Sequence, residues 1–245
     1  MSTREVWQRR LGPLYGGAVA LVSSTPWRWP TDVADDARSP GWIVALGVPI
    51  GLAAWLVAAL ARGAGLPDGV AVIFGLAMLT VASAAIVERG LGEQVLAWQE
   101  DPSPRLPVAP LLALVFTTLI RAVAIQGIAY NKWWMVFVAM AVTGRWAAVF
   151  LQALGDPVPP HDEARRSLVA TQAPAWLTAA ISAGAAVIVV VALGKAGVVA
   201  MALSAIAAFL LGLEAQRREG GLSAPVVATA AAIGEMLVLL VAITS

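Results

Sequence analysis

Cysteine is absent from the 245-residue chain, which excludes a disulfide framework, a thiolate nucleophile and any thiolate metal site. Histidine occurs once, as His161 in the polar run GDPVPPHDEARRS. A lone loop histidine reads as solvated, and it leaves no partner for a histidine-rich metal site or a Ser-His-Asp arrangement. Charge is also scarce: 13% of the residues are charged, and they sum to a formal net charge of +1. Because no segment concentrates enough Lys or Arg among aromatics to make a nucleic-acid surface, nucleic acid is not expected as a partner.

What fills the chain is apolar. Hydrophobic residues make up 60% of it and the mean hydropathy is +0.81, far above a soluble domain, so an integral membrane protein is expected. Crossing ~30 Å of hydrocarbon at ~1.5 Å per residue takes ~20 residues. Seven stretches approach that length: residues 42–61, 69–87, 108–130, 133–154, 176–193, 196–213 and 226–244. Unpaired backbone is not tolerated in lipid and no alternating pattern indicates a barrel, so all seven are read as helices. The expectation is an all-α polytopic bundle in one domain over residues 1–245, with Trp42, Trp133, Trp134 and Trp176 anchoring span ends. Residues 1–41 form an arm whose apolar stretch, Leu11 to Val22, is short and interrupted by Pro13, Gly16 and Gly17. It reads as interfacial or re-entrant.

Basic residues separate by loop. Eleven lie on the side of the N-terminal arm (Arg4, Arg9, Arg10, Arg28, Arg38, Arg89, Arg105, Arg165, Arg166, Arg217 and Arg218), against Arg62, Lys132 and Lys195 opposite. The positive-inside rule then places the N-terminus in the cytoplasm and the C-terminus outside, and the expected location is the cytoplasmic (inner) membrane. The long polar loops fall on that same cytoplasmic side, which points to work on cytoplasmic solutes and away from transport.

Three charges lie inside spans: Arg121 in FTTLIRAVAI, Arg145 in AVTGRWAAVF and Glu235 in AAIGEMLVLL. Each costs about 2.5–3.5 kcal/mol near a helix centre, so each needs a partner or water. Either an Arg–Glu pair locks three helices together, or two arginines against one glutamate leave a positive excess able to bind phosphate. A third group sits in SAAIVERGLGEQVLAWQED, where Glu88, Glu93, Glu100 and Asp101 fall close in sequence. Glu93 and Glu100 share a helical face, so a carboxylate seat for a hard cation is sterically possible, though charges at a helix mouth are usually just solvated.

The chain resembles the cobalamin 5′-phosphate synthase (adenosylcobinamide-GDP ribazoletransferase) family. The likeness lies in SSTPWRWP, the Pro49–Gly51 kink, Arg121 in LALVFTTLIRAV, Arg145 after Gly144, and above all LGLEAQRREGGLSAPVVATAAAIGEMLVLL, where Arg217, Gly220, Gly221 and Glu235 fall on family positions. The family's His-Leu-Asp-Gly-Leu-Ala-Asp signature meets RGLGE: Gly90 and Leu91 match and Glu93 replaces an aspartate, while Arg89 stands at the first aspartate, Val87 at the histidine and Leu96 at a third acid. Arg105 and Leu106 survive in SPRLP, and Pro225 replaces another aspartate. The resemblance implies transfer of adenosylcobinamide phosphate from its GDP-activated form to α-ribazole or its 5′-phosphate, with GMP released and Mg²⁺ assisting. In that scheme Glu93, with Glu88, holds the metal and acts in catalysis. Arg105, Arg121, Arg145, Arg217, Gly220 and Gly221 bind substrate phosphates, and Glu235 orients an arginine. The loss of acids also fits a catalytically silent homologue that binds corrinoids or anchors other cobalamin-pathway enzymes at the bilayer.

Overall fold

The computed structural model describes residues 3–30, 36–99, 108–155, 167–169 and 173–245. The chain is an all-helical polytopic bundle. An N-terminal arm of α1 (Thr3–Leu11) and α2 (Tyr15–Ser24) leads into α3 (Ser39–Ala45) and α4 (Gly47–Gly63), which together make the first span. There follow α5 (Asp68–Ala82), α6 (Ile86–Ala97), α7 (Val108–Gln126), α8 (Trp133–Gln152), α9 (Ala175–Leu193), α10 (Lys195–Glu219) and α11 (Ala224–Ile243). Among the described residues six spans are long and apolar enough to cross a membrane, or seven when the bent pair α5–α6 is counted as one broken span.

Burial sorts these helices into a centre and a rim. In α8, 83% of the apolar window is buried, against 22% in α9. Helices α8 and α11 pack along one another, with α4, α6 and α10 around them. The outer helices expose large apolar side chains such as Leu60, Phe74, Phe116, Val123, Val191 and Phe209, a face that only lipid covers without cost. Small residues set the central spacing. A Cβ on Gly51 would lie 2.6 Å from the Phe137 carbonyl oxygen, and one on Gly47 would lie 2.8 Å from that of Ala141. The small residues flanking Pro49 thus let α4 approach the α8 backbone closely.

The second sequence-read span, residues 69–87, is not one straight helix. It breaks at Ser83, Ala84 and Ala85, and α6 leaves α5 at 82°. The contacts show that the pair still crosses the bundle: Gly69 at its start packs on Gln126 at the end of α7, whereas Gly92 in α6 packs on Pro110 and Leu114 near the start of α7. The break is held by the Ala85 backbone N–H donating to the Thr80 carbonyl at 2.8 Å and by the Thr80 hydroxyl donating to Glu88 Oε1 at 2.8 Å.

Ala84 and Ala85 carry φ values of 52° and 53°, a region that costs an L-residue about 1–2 kcal/mol. Surrounding packing must impose it. Glycine at either position relieves that strain but adds backbone freedom to the unfolded chain, so Ala85→Gly is expected to leave the melting temperature in detergent unchanged or raised. Ala85→Val is expected to lower it clearly. Equal losses from Gly and Val would show that the backbone there is not left-handed.

Candidate functional site

Four charges converge at mid-bundle, about 16–20 Å from the nearer-numbered ends of α7, α8 and α11 at ~1.5 Å per residue. Arg121 of α7 is the hub. Its Nη2 lies 2.7 Å from Glu235 Oε2 of α11, and its Nη1 lies 3.4 Å from Glu88 Oε1 of α6. Arg145 of α8 donates from Nη2 to the Ser83 hydroxyl at 2.8 Å and from Nη1 to the Ala141 carbonyl at 3.2 Å. Arg121, Arg145 and Glu235 are buried, at 3%, 1% and 2% exposure. Gly144 makes room for this packing, since a Cβ there would lie 2.6 Å from Glu235 Cγ.

The helix break changes the charge balance read from sequence. Glu88 was expected at a wet helix end, but the turn at residues 83–85 swings it inward onto Arg121. Two arginines now face two glutamates, so the positive excess disappears and the four groups sum to zero. Of the two expectations for the intramembrane charges, the interhelical lock is the one this geometry favours, and it joins α6, α7 and α11. The sequence signal for Glu88 was Thr80, eight residues earlier, which donates to it across the bend.

The carboxylates proposed to share a metal are not brought together. Glu93 lies five residues beyond Glu88 on α6, about 140° further round the helix. It sits 4.0 Å from Arg89, its side chain 40% exposed. No group of three or more His, Asp or Glu residues able to hold a metal ion occurs among the described residues. Glu88 Oε2 is buried without a hydrogen-bond partner among those residues, yet a divalent ion there would sit beside the Arg121 guanidinium, which repels it. The described donor set does not fit Mg²⁺. Glu100, Asp101, Arg105, His161, Arg165 and Arg166 lie outside the described residues.

A second polar group, unforeseen from sequence, ties α6 to the end of α10. Glu219 Oε1 accepts from Gln94 Nε2 at 2.8 Å and from Trp98 Nε1 at 2.9 Å. Arg218 covers the Trp98 ring at 5.2 Å. Helix α10 runs six residues beyond the expected end of its span, so Arg217 lies exposed on its last turn. Gly220, with φ 76°, then stops the helix in the left-handed conformation, which gives this glycine a structural role. Gly221 is buried beside it, and Gly90 lets α6 close on Ala228 and Pro225 of α11. Glu93, Arg217, Gly220 and Gly221 are thus carried by elements that meet at one end of the bundle.

An all-helical polytopic membrane protein with a buried, balanced charge cluster and a polar end built from α6, α10 and the turn before α11 is the class these features define. Residues 104–243 match the family model described as cobalamin-5-phosphate synthase, and the chain belongs to that family. Its role is that of a synthase in cobalamin biosynthesis. None of the curated proteins and none of the solved structures matches it.

Proposed function

We propose that the chain joins adenosylcobinamide-GDP to α-ribazole or its 5′-phosphate at the cytoplasmic end of the bundle, in the inner membrane with the N-terminus inside. A hydroxyl oxygen of the ribazole attacks the phosphorus that carries the cobinamide, the bridging P–O bond to GMP breaks, and the hydroxyl proton is given up as GMP leaves. The observation that supports this reading is the Glu219 tie: Gln94 and Trp98 hold the family's signature segment, residues 89–93, against the end of α10 that carries Arg217. Glu93 is the described carboxylate in that segment assigned to accept the proton, and Arg217 is assigned to a substrate phosphate. Arg105 would join it from the neighbouring loop. Arg121 and Arg145 are engaged inside the bundle with Glu88, Glu235, Ser83 and Ala141, and are assigned to holding α6 in place. Mg²⁺ is kept as the counterion that the diphosphate carries, with no protein seat assigned among the described residues.

Detergent-purified protein given adenosylcobinamide-GDP, α-ribazole 5′-phosphate and Mg²⁺ is expected to release GMP. Glu93→Gln should lower that rate by at least ~10²-fold, the usual span of a general base. Unchanged turnover in Glu93→Gln would remove Glu93 from the chemistry.

A second reading has its own support. The neutral cluster around Arg121 and the Arg89–Glu93 pair leave the signature segment short of acids, as expected of a catalytically silent homologue that binds corrinoids or holds pathway partners. Saturable binding of adenosylcobinamide-GDP without GMP release would select it.

A further inference from the structure

The N-terminal arm displays cations and indoles together on its surface. Arg9, Arg10 and Arg28 are exposed, and Trp27, Trp29 and Leu14 are exposed by more than half their area. Trp29 meets Trp7 of α1 edge-on, with centroids 5.1 Å apart, so the segment that carries Trp27, Arg28 and Trp29 is tied to α1 through Trp29. Residues 1–41 carry five arginines against the acids Glu5, Asp32, Asp35 and Asp36, and three of those acids follow residue 30, so the stretch before it sets Arg4, Arg9, Arg10 and Arg28 against Glu5.

The arm's level is set by what α2 touches. Cβ atoms on Gly16 and Gly17 would meet Arg38 at 3.0 Å and the Trp42 ring at 3.1 Å, so α2 packs on the start of the first span. The Ser23 carbonyl also accepts from the Ser167 backbone N–H at 3.2 Å, beyond the end of α8. Both contacts hold the arm at the end of the bundle where spans begin and finish, the level of lipid headgroups. Indoles left in water lose the environment they favour, while at headgroup level their apolar rings and N–H groups are both satisfied. Guanidinium groups at that level find phosphate oxygens with matching fork geometry.

We propose that this arm is a docking surface for anionic phospholipid headgroups. Arg9, Arg10 and Arg28 take the phosphates, and Trp27, Trp29 and Leu14 enter the interface beside them. The proposal is independent of the transfer reaction, since it concerns what the arm rests on.

Full-length protein is equilibrated in mixed micelles of equal parts phosphatidylglycerol and phosphatidylcholine, re-isolated, and its bound lipids are measured by mass spectrometry. Phosphatidylglycerol is expected to be enriched several-fold over phosphatidylcholine. Arg9→Gln, Arg10→Gln and Arg28→Gln together should bring that enrichment down to a ratio close to one at low ionic strength. Lysine at the same positions should preserve most of it, and high salt should suppress it. A melting temperature equal to that of the unsubstituted protein identifies the loss as local. A wild-type lipid ratio near one, or a ratio that the triple glutamine variant leaves unchanged, overturns the proposal. Displacement of the lipid by inorganic phosphate at equal concentration also overturns it, because the ligand would then be a free anion.

Discussion

Arg121→Met is expected to destabilise the protein by about 3–5 kcal/mol, the cost of leaving a buried partner charge uncompensated. The substitution strands Glu235, 2% exposed, and removes the cation nearest Glu88. Arg145 cannot replace it in place, because its Nη atoms are turned to Ser83 and Ala141. Loss should appear as a sharply lower melting temperature in detergent, or as failure to accumulate in the membrane. The informative companion is Arg121→Met with Glu235→Met. Removing both partners leaves Glu88 and Arg145, a set that again sums to zero, and apolar replacement of a buried pair is often neutral. Recovery of at least half the lost stability is therefore expected. A single variant as stable as the unsubstituted protein would show that the cluster is hydrated and not a lock.

Gly90→Ala should cost about 1–3 kcal/mol, the range for forcing extra volume into a packed interface. A Cβ on Gly90 overlaps the Cβ of Ala228, with the Pro225 backbone 3.6 Å away, so α6 must move off α11. Because the signature segment rides on α6, GMP release should fall with the melting temperature. The size swap Gly90→Ala with Ala228→Gly returns the methyl volume to the same gap and should recover most of both losses, a coupling that separate sites would not show. If the second change gives no recovery, α6 does not dock on α11 at this point.

Much of the fold could be read from hydropathy, and the failures have identifiable causes. Span positions follow from run length, and the glycines flanking Pro49 are the sequence mark of the close approach at Gly47 and Gly51. The break at residues 83–85 carried no local warning. Ser83, Ala84 and Ala85 include neither Gly nor Pro, and alanine is the strongest helix former, so only tertiary packing imposes the turn. With the break hidden, Glu88 was placed at the membrane surface, and the charge sum at Arg121 came out one acid short. Helix α10 was read too short for a different reason: Glu214, Gln216 and Arg217 end the apolar run, but polarity ends a hydropathy window without ending a helix. Glu219 belongs to no motif and gains its meaning from Gln94 and Trp98, more than a hundred residues away.

The most direct test of the site's assembly exploits the absence of native cysteine. Gln94→Cys with Glu219→Cys, treated in native membranes with a short bifunctional maleimide, should join within the chain. Glu93→Cys with Glu219→Cys should join far less, because residue 93 points to another face of α6. Preferential joining of the 94 and 219 positions is the predicted result. Failure of that pair to join, or equal joining of both pairs, would contradict the meeting of the signature helix with the end of α10.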